Sequence, residues 1–209
     1  MINNSTDCLL VVDVQNDFCA GGALEVPSGE DVVDIINALA GQFEHRVLIQ
    51  DWHPHGHESF ASSHDGKFPF ESVELHYGSQ VLWPDHCAQG TKGAEFHAEL
   101  KTDDVELIIR KGCRRGIDSY SAFFENDRTT PTGLSGYLRD RGFSRVFLAG
   151  LATDFCVAYS ALDARSEGFE ALLIEDACRA INLDNSLANA FTEMETAGVR
   201  RIGTADLFA

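Results

Sequence analysis

A thiol, a carboxylate and an amine, each placed where an apolar run gives way to a loop, are the residues of this chain best suited to making and breaking bonds. Cys156 is the candidate nucleophile. In Gly150-Leu151-Ala152-Thr153-Asp154-Phe155-Cys156 it falls in the first turn of an expected helix capped by Thr153 or Asp154, where unpaired N–H groups and the helix dipole favour a thiolate. A cysteine in a helix is more often plain core packing, so it needs company to count. Asp13 ends the apolar run Leu9-Leu10-Val11-Val12, and a carboxylate there must find partners or a raised pKa. Its ordinary role would be to cap the next turn; its chemical role would be to take the thiol proton. Lys111 ends Val105-Glu106-Leu107-Ile108-Ile109-Arg110 in the same way. It reads either as a solvated strand end or as the cation that keeps the acid charged.

A second pattern suits a metal. In Asp51-Trp52-His53 the acid and the imidazole point to the same side of an extended segment, because side chains alternate with period two. A third donor is expected from the following loop, where His57, His64, His76, His86 and His97 compete and His86 stands in the stiff aromatic setting Trp83-Pro84-Asp85-His86-Cys87. One carboxylate, two imidazoles and open positions suit Zn²⁺, Fe²⁺ or Mn²⁺.

These residues need a scaffold that brings strand ends together. Short β-rich runs occur at 8–14, 46–50, 105–109, 145–149 and 171–174, with a weaker one at 199–202. Helical periods lie between several of them. Val32, Ile35, Ile36 and Leu39 share one face behind a candidate N-cap at Ser28, and similar spacing precedes Gly168 and Gly198. The alternation predicts an α/β fold, a mainly parallel sheet covered on both faces, with ligands bound beyond the carboxyl ends of its strands. One domain over 1–209 is expected, with an insertion around 53–93 that lacks a clear period and is therefore a functional loop.

Composition excludes several partners. With 16 Lys+Arg against 33 Asp+Glu in 209 residues, the formal net charge of -17 argues against nucleic acid and anionic membranes. No apolar stretch is long enough to span a bilayer, and the N-terminus does not read as a secretory signal, so the cytoplasm is the expected compartment. The six cysteines form no compact framework and are expected to be reduced.

Taken together, Asp13-Val14-Gln15-Asn16-Asp17-Phe18, Gly21-Gly22-Ala23-Leu24-Glu25-Val26-Pro27, Asp51-Trp52-His53-Pro54, Trp83-Pro84-Asp85-His86-Cys87, Lys111-Gly112 and the Gly150 to Val157 block resemble nicotinamidases of the isochorismatase-like cysteine hydrolases. The resemblance implies a three-layer α/β/α fold with a six-stranded sheet, a catalytic triad of Asp13, Lys111 and Cys156, and metal ligands Asp51, His53 and His86, with zinc the first choice of ion. It implies a cis peptide before Ala152 and an oxyanion site formed by the N–H groups of Ala152 and Cys156. Phe18, Trp83 and Tyr120 are expected around the substrate ring, and His57 or Ser59 on a metal-bound water. The implied reaction turns nicotinamide and water into nicotinate and ammonia through a thioester, with pyrazinamide as a second substrate, while homo-oligomerisation is left open. Two alternatives stand beside it: a related hydrolase for another small amide or isochorismate, and a retired scaffold that only binds metal.

Overall fold

The computed structural model describes residues 2–207. Six strands form one sheet in the order β5-β2-β1-β6-β7-β8: β1 (Asp7–Val12), β2 (Arg46–Asp51), β5 (Leu107–Lys111), β6 (Arg145–Leu151), β7 (Glu170–Arg179) and β8 (Arg200–Ile202). All five pairings are parallel. Four helices complete the alternation, α1 (Val32–Ala40), α2 (Leu134–Asp140), α3 (Ala158–Ser166) and α4 (Ser186–Thr196).

Alternation along β1 shows why there are two cores. Cys8, Leu10 and Val12 pack with residues of α2, α3 and α4, whereas Leu9 and Val11 pack with Val32, Val33, Ile36 and Leu39 of α1. Every residue of β1 is buried, as a central parallel strand covered on both faces requires. This is the three-layer arrangement expected from the alternating pattern.

The chain runs outward from β1 through β2 to β5, then restarts on the other side of β1 at β6 and runs outward again. The order therefore reverses between β1 and β6, and the crevice beyond their carboxyl ends is where open α/β sheets bind ligands.

Two local expectations need correction. Ser28 does not cap α1: its backbone is left-handed, its side chain makes no capping bond, and a short 3₁₀ turn separates it from the helix. The insertion after His53 is also less irregular than its composition suggested. It contains an antiparallel hairpin, β3 (Ser72–Leu75) with β4 (Gly78–Val81), too short for its period to stand out among polar residues. The returning chain then pairs beside the extension of β2: the His53 N–H donates to Cys87 O at 3.0 Å, and the Gln89 N–H to His53 O at 2.8 Å. That pairing carries His86 to the rim of the sheet.

Candidate active site

Asp13, Asp51, Lys111 and Cys156 arrive from four adjacent strand ends. Asp13 follows β1 in a left-handed conformation (φ 50°), an uncommon one for a residue with a Cβ, in a tight turn where its carbonyl accepts from Gln15 N at 2.8 Å. Asp51 ends β2 and is held by Gln15, whose amide donates to Asp51 O (2.8 Å) and accepts from Asp51 N (2.7 Å). The fully buried Gln15 thus locks the turn after β1 to the end of β2. Sequence reading missed that role, because the pairing is between residues far apart in the chain.

Lys111 is the hub. Its ammonium lies 2.9 Å from Asp13 Oδ2 and 2.8 Å from Asp51 Oδ1, and it donates to Ser119 O at 2.9 Å and toward Cys156 Sγ at 3.3 Å. Burial opposes its charge, but Asp13 and Asp51 outweigh burial and hold its pKa well above the ordinary lysine range. The lysine is an ammonium throughout the working pH range.

Burial pushes the Asp13 carboxyl up to about 6, with Lys111 pulling the other way and Asp51 adding to the rise. Burial also drives the Cys156 thiol well above its ordinary value, against the pull of Lys111. The resting pair is a thiol beside a carboxylate. At neutral pH Asp13 is mostly ionised and can accept a proton, and below pH 6 it is not. The acid limb of kcat/KM for any reaction that uses Asp13 as base is therefore expected near pH 6, measurable as initial rates across pH 5 to 8.

Cys156 lies in a π-helical turn, Thr153–Val157, that leads directly into α3. The peptide bond between Leu151 and Ala152 is cis, as expected. Ala152 O accepts from both Phe155 N and Val157 N at 3.1 Å. The Cys156 N–H lies between these two and is not one of the donors to that carbonyl. The expected side-chain cap is absent: neither Thr153 nor Asp154 closes the turn. Asp154 instead reaches across to the loop before α4, accepting from Ile181 N (3.1 Å), Asn182 N (2.7 Å) and the Ser186 hydroxyl.

The metal candidates converge as well. One donor atom each from Asp51, His53 and His86 lies within 4.8 Å of the others, and all three residues are buried. For the neutral rings that metal binding requires, the hydrogen-bond partners fix the tautomers. His53 Nδ1–H donates to Gly112 O at 3.0 Å, and His86 Nδ1–H to Pro84 O at 2.8 Å, which leaves a lone pair on Nε2 of each ring. Both Nε2 atoms face the same carboxylate oxygen, Asp51 Oδ2, at 3.1 and 3.4 Å, and His53 Nε2 has no hydrogen-bond partner. Three electron-pair donors aimed at one point repel unless a cation lies among them. The mixed N₂O donor set fits a divalent ion. Gly112 belongs to the design: it sits at φ 63°, and a Cβ there would come within 2.4 Å of the His53 ring.

His57 and Ser59 are nearby, in distinct positions. His57 Nε2–H donates to Arg114 O and Ile117 O (2.9 and 3.2 Å), and its Nδ1 accepts from Ser59, whose hydroxyl lies 2.7 Å away. No lone pair of His57 is left for a metal, whereas the Ser59 oxygen keeps its own. His64, His76 and His97 stand outside both metal-capable groupings among the described residues.

A narrow pocket opens onto these groups, with Asp51, His86 and Cys156 on its polar side. Phe18, Trp83 and Tyr120, the ring-binding candidates, all line it. So do Phe155, Leu24, Ile181 and Asp118, which sequence reading did not single out. Phe155 stands nearly perpendicular to Trp83, with ring centroids 4.9 Å apart, and touches Tyr120 at 5.6 Å. Its place one residue before Cys156 was the available signal; its helical period made it look like core.

Known proteins share this fold. The model of the isochorismatase domain matches residues 7–206. The chain belongs to the isochorismatase family. Within it, this family member is 52% identical over 199 residues to a nicotinamidase of Acinetobacter baylyi, covering 95% of this chain and 93% of that one. Among solved structures, a nicotinamidase and pyrazinamidase of Acinetobacter baumanii superposes with a TM-score of 0.97 at 55% identity, over 99% of this chain and all of that one (100%). A pyrazinamidase of Pyrococcus horikoshii in complex with zinc gives 0.77 at 35% identity, over 94% and 98%. The isochorismatase-family fold thus agrees with the sequence reading.

Proposed function

We propose that this chain is a nicotinamidase, a cysteine amidohydrolase that converts nicotinamide and water to nicotinate and ammonia and also accepts pyrazinamide. The observation that carries this is the Lys111 ammonium. It joins the thiol and a metal-donor carboxylate, both lining one aromatic-walled pocket, to the base Asp13. The nicotinamidase relatives support the choice of substrate.

Asp13 takes the Cys156 proton, and the thiolate forms a C–S bond to the amide carbon while Lys111 keeps the site's charge compensated. The backbone N–H groups of Ala152 and Cys156 hold the negative charge that develops on the amide oxygen. The C–N bond then breaks, and the proton held by Asp13 leaves with the nitrogen as ammonia. Asp13, ionised again, accepts a proton from the water that opens the thioester, which releases nicotinate and returns the thiol. Phe18, Trp83, Tyr120 and Phe155 grip the flat ring, exclude water and orient the amide toward Cys156.

Asp51, His53 and His86 would hold a divalent ion, zinc in the first instance, with Ser59 the better placed of the two neighbours to meet its water. When bound, that ion supplies a Lewis acid for the ring nitrogen of the substrate. The test is ammonia release from nicotinamide before chelation, after it, and after adding back Zn²⁺, Fe²⁺ or Mn²⁺. Activity is expected to vanish with the metal and return with at least one ion. His53→Ala is expected to bind metal roughly a hundredfold more weakly, or worse, by elemental analysis and chelator competition. Unchanged metal content in that variant would remove His53 from the ligand set.

A further inference from the structure

Asp118 is a buried acid on the pocket wall that the reaction above leaves without a task. It is 2% exposed, and its carboxylate is set by two bonds: Gln80 Nε2 donates to Oδ2 and Ser119 N to Oδ1, both at 2.8 Å. Gln80 is itself fully buried and also donates to Tyr120 OH at 3.0 Å, so the acid is braced against the aromatic wall. A carboxylate can accept about four hydrogen bonds, so this pocket-lining acid keeps lone pairs beyond these two. Among the described residues no lysine or arginine forms an ion pair with it. The other buried acids are served differently: Asp7 by Arg145, Asp163 by Arg128, Glu125 by Arg114, and Asp154 by three donors of the loop before α4.

Position narrows what Asp118 can serve. One of its oxygens lies within 4.8 Å of a ring nitrogen of His53 and one of His57. That grouping is no second metal centre, because His53 is shared with the first and both nitrogens of His57 are engaged by protein groups. Nor is Asp118 grouped with Asp51 and His86, so it stands beside the donor triangle and not in it. Charge points the same way. Asp13, Asp51 and Asp118 set three carboxylates against the single ammonium of Lys111, and the two negative charges left over match one divalent cation.

We propose that Asp118 is a positioning residue for the divalent ion: its carboxylate accepts a hydrogen bond from water carried by that ion and completes the neutrality of the site. This rests on the metal assignment above. A neutral aromatic amide carries no charge to balance a buried anion on its wall, whereas a hydrated cation one water away does.

The test titrates metal-stripped wild type, Asp118→Asn and His53→Ala with Zn²⁺ and with Mn²⁺ against a chromophoric chelator, after circular dichroism has shown native folding. Asp118→Asn is expected to bind both ions about 10- to 100-fold more weakly than wild type. Exchange of Mn²⁺-bound water, followed by ¹⁷O relaxation, is expected to be faster in the variant, a signature that a purely structural role would not move. Equal affinity with unchanged exchange overturns the role of Asp118. If wild type binds neither ion, or His53→Ala binds like wild type, the metal assignment itself falls, which the first result alone would not imply. Asp118→Ser, which also removes the charge, takes the place of the asparagine variant should that protein not fold, with the same outcomes.

Discussion

Cys156→Ala is expected to lower ammonia release from nicotinamide by on the order of 10⁴-fold or more, while metal content and folding stay as in wild type. The size follows from the division of labour. Without the sulfur there is no C–S bond to form, and neither Asp13 nor Lys111 is itself placed as a replacement nucleophile, since each is committed to the other at 2.9 Å. Metal binding is spared because the donor triangle of Asp51, His53 and His86 does not include the sulfur. Cys156 is buried within an apolar cluster, and trading a thiol for a methyl removes one small group, so the melting temperature should shift little. Calorimetry with nicotinamide separates binding from chemistry, and the expected result is retained binding with lost turnover. Full ammonia release from a folded alanine variant would remove the thioester route.

How much of this was legible beforehand depends on whether a residue's role is local. Asp13, Asp51 and Lys111 each end an apolar run, and a parallel sheet with a switch point must place such ends on one rim, so their convergence could be anticipated. The pair Asp51 and His53 follows from period two along β2 and its extended continuation. His86 could be suspected from its stiff setting but not placed, because what delivers it is the backbone pairing of His53 with Cys87 and Gln89. Gln15, Asp118 and Asp154 act through partners 27 to 38 residues away, and no short window of sequence contains both ends of such a bond. Asp154 is instructive: its position at a helix start suggested a cap, yet a loop with two free N–H groups and a hydroxyl offered it more. Where a polar side chain has a choice, tertiary donors decide.

Lys111→Met carries the second large effect, because among the described residues it removes the only positive charge that touches both Asp13 and Asp51. Methionine keeps much of the length and fills the space, so what is lost is charge and hydrogen bonding. Breaking a buried ion pair on one side leaves uncompensated charge and costs about 3–5 kcal/mol, visible as a lower midpoint in denaturant. Catalysis should suffer beyond that. Lys111 is the influence that pulls the Asp13 carboxyl down against burial, and with it gone the pKa must climb from about 6. At pH 7 the acid then holds its proton and cannot take one from the thiol. The acid limb of kcat/KM is thus expected to move to higher pH in the variant, with little activity left at neutrality. Metal content is expected to hold, since losing a cation 2.8 Å from Asp51 makes that carboxylate a stronger partner for a divalent ion. An acid limb left in place in a folded Lys111→Met protein would show that Asp13 is not the base whose charge Lys111 secures.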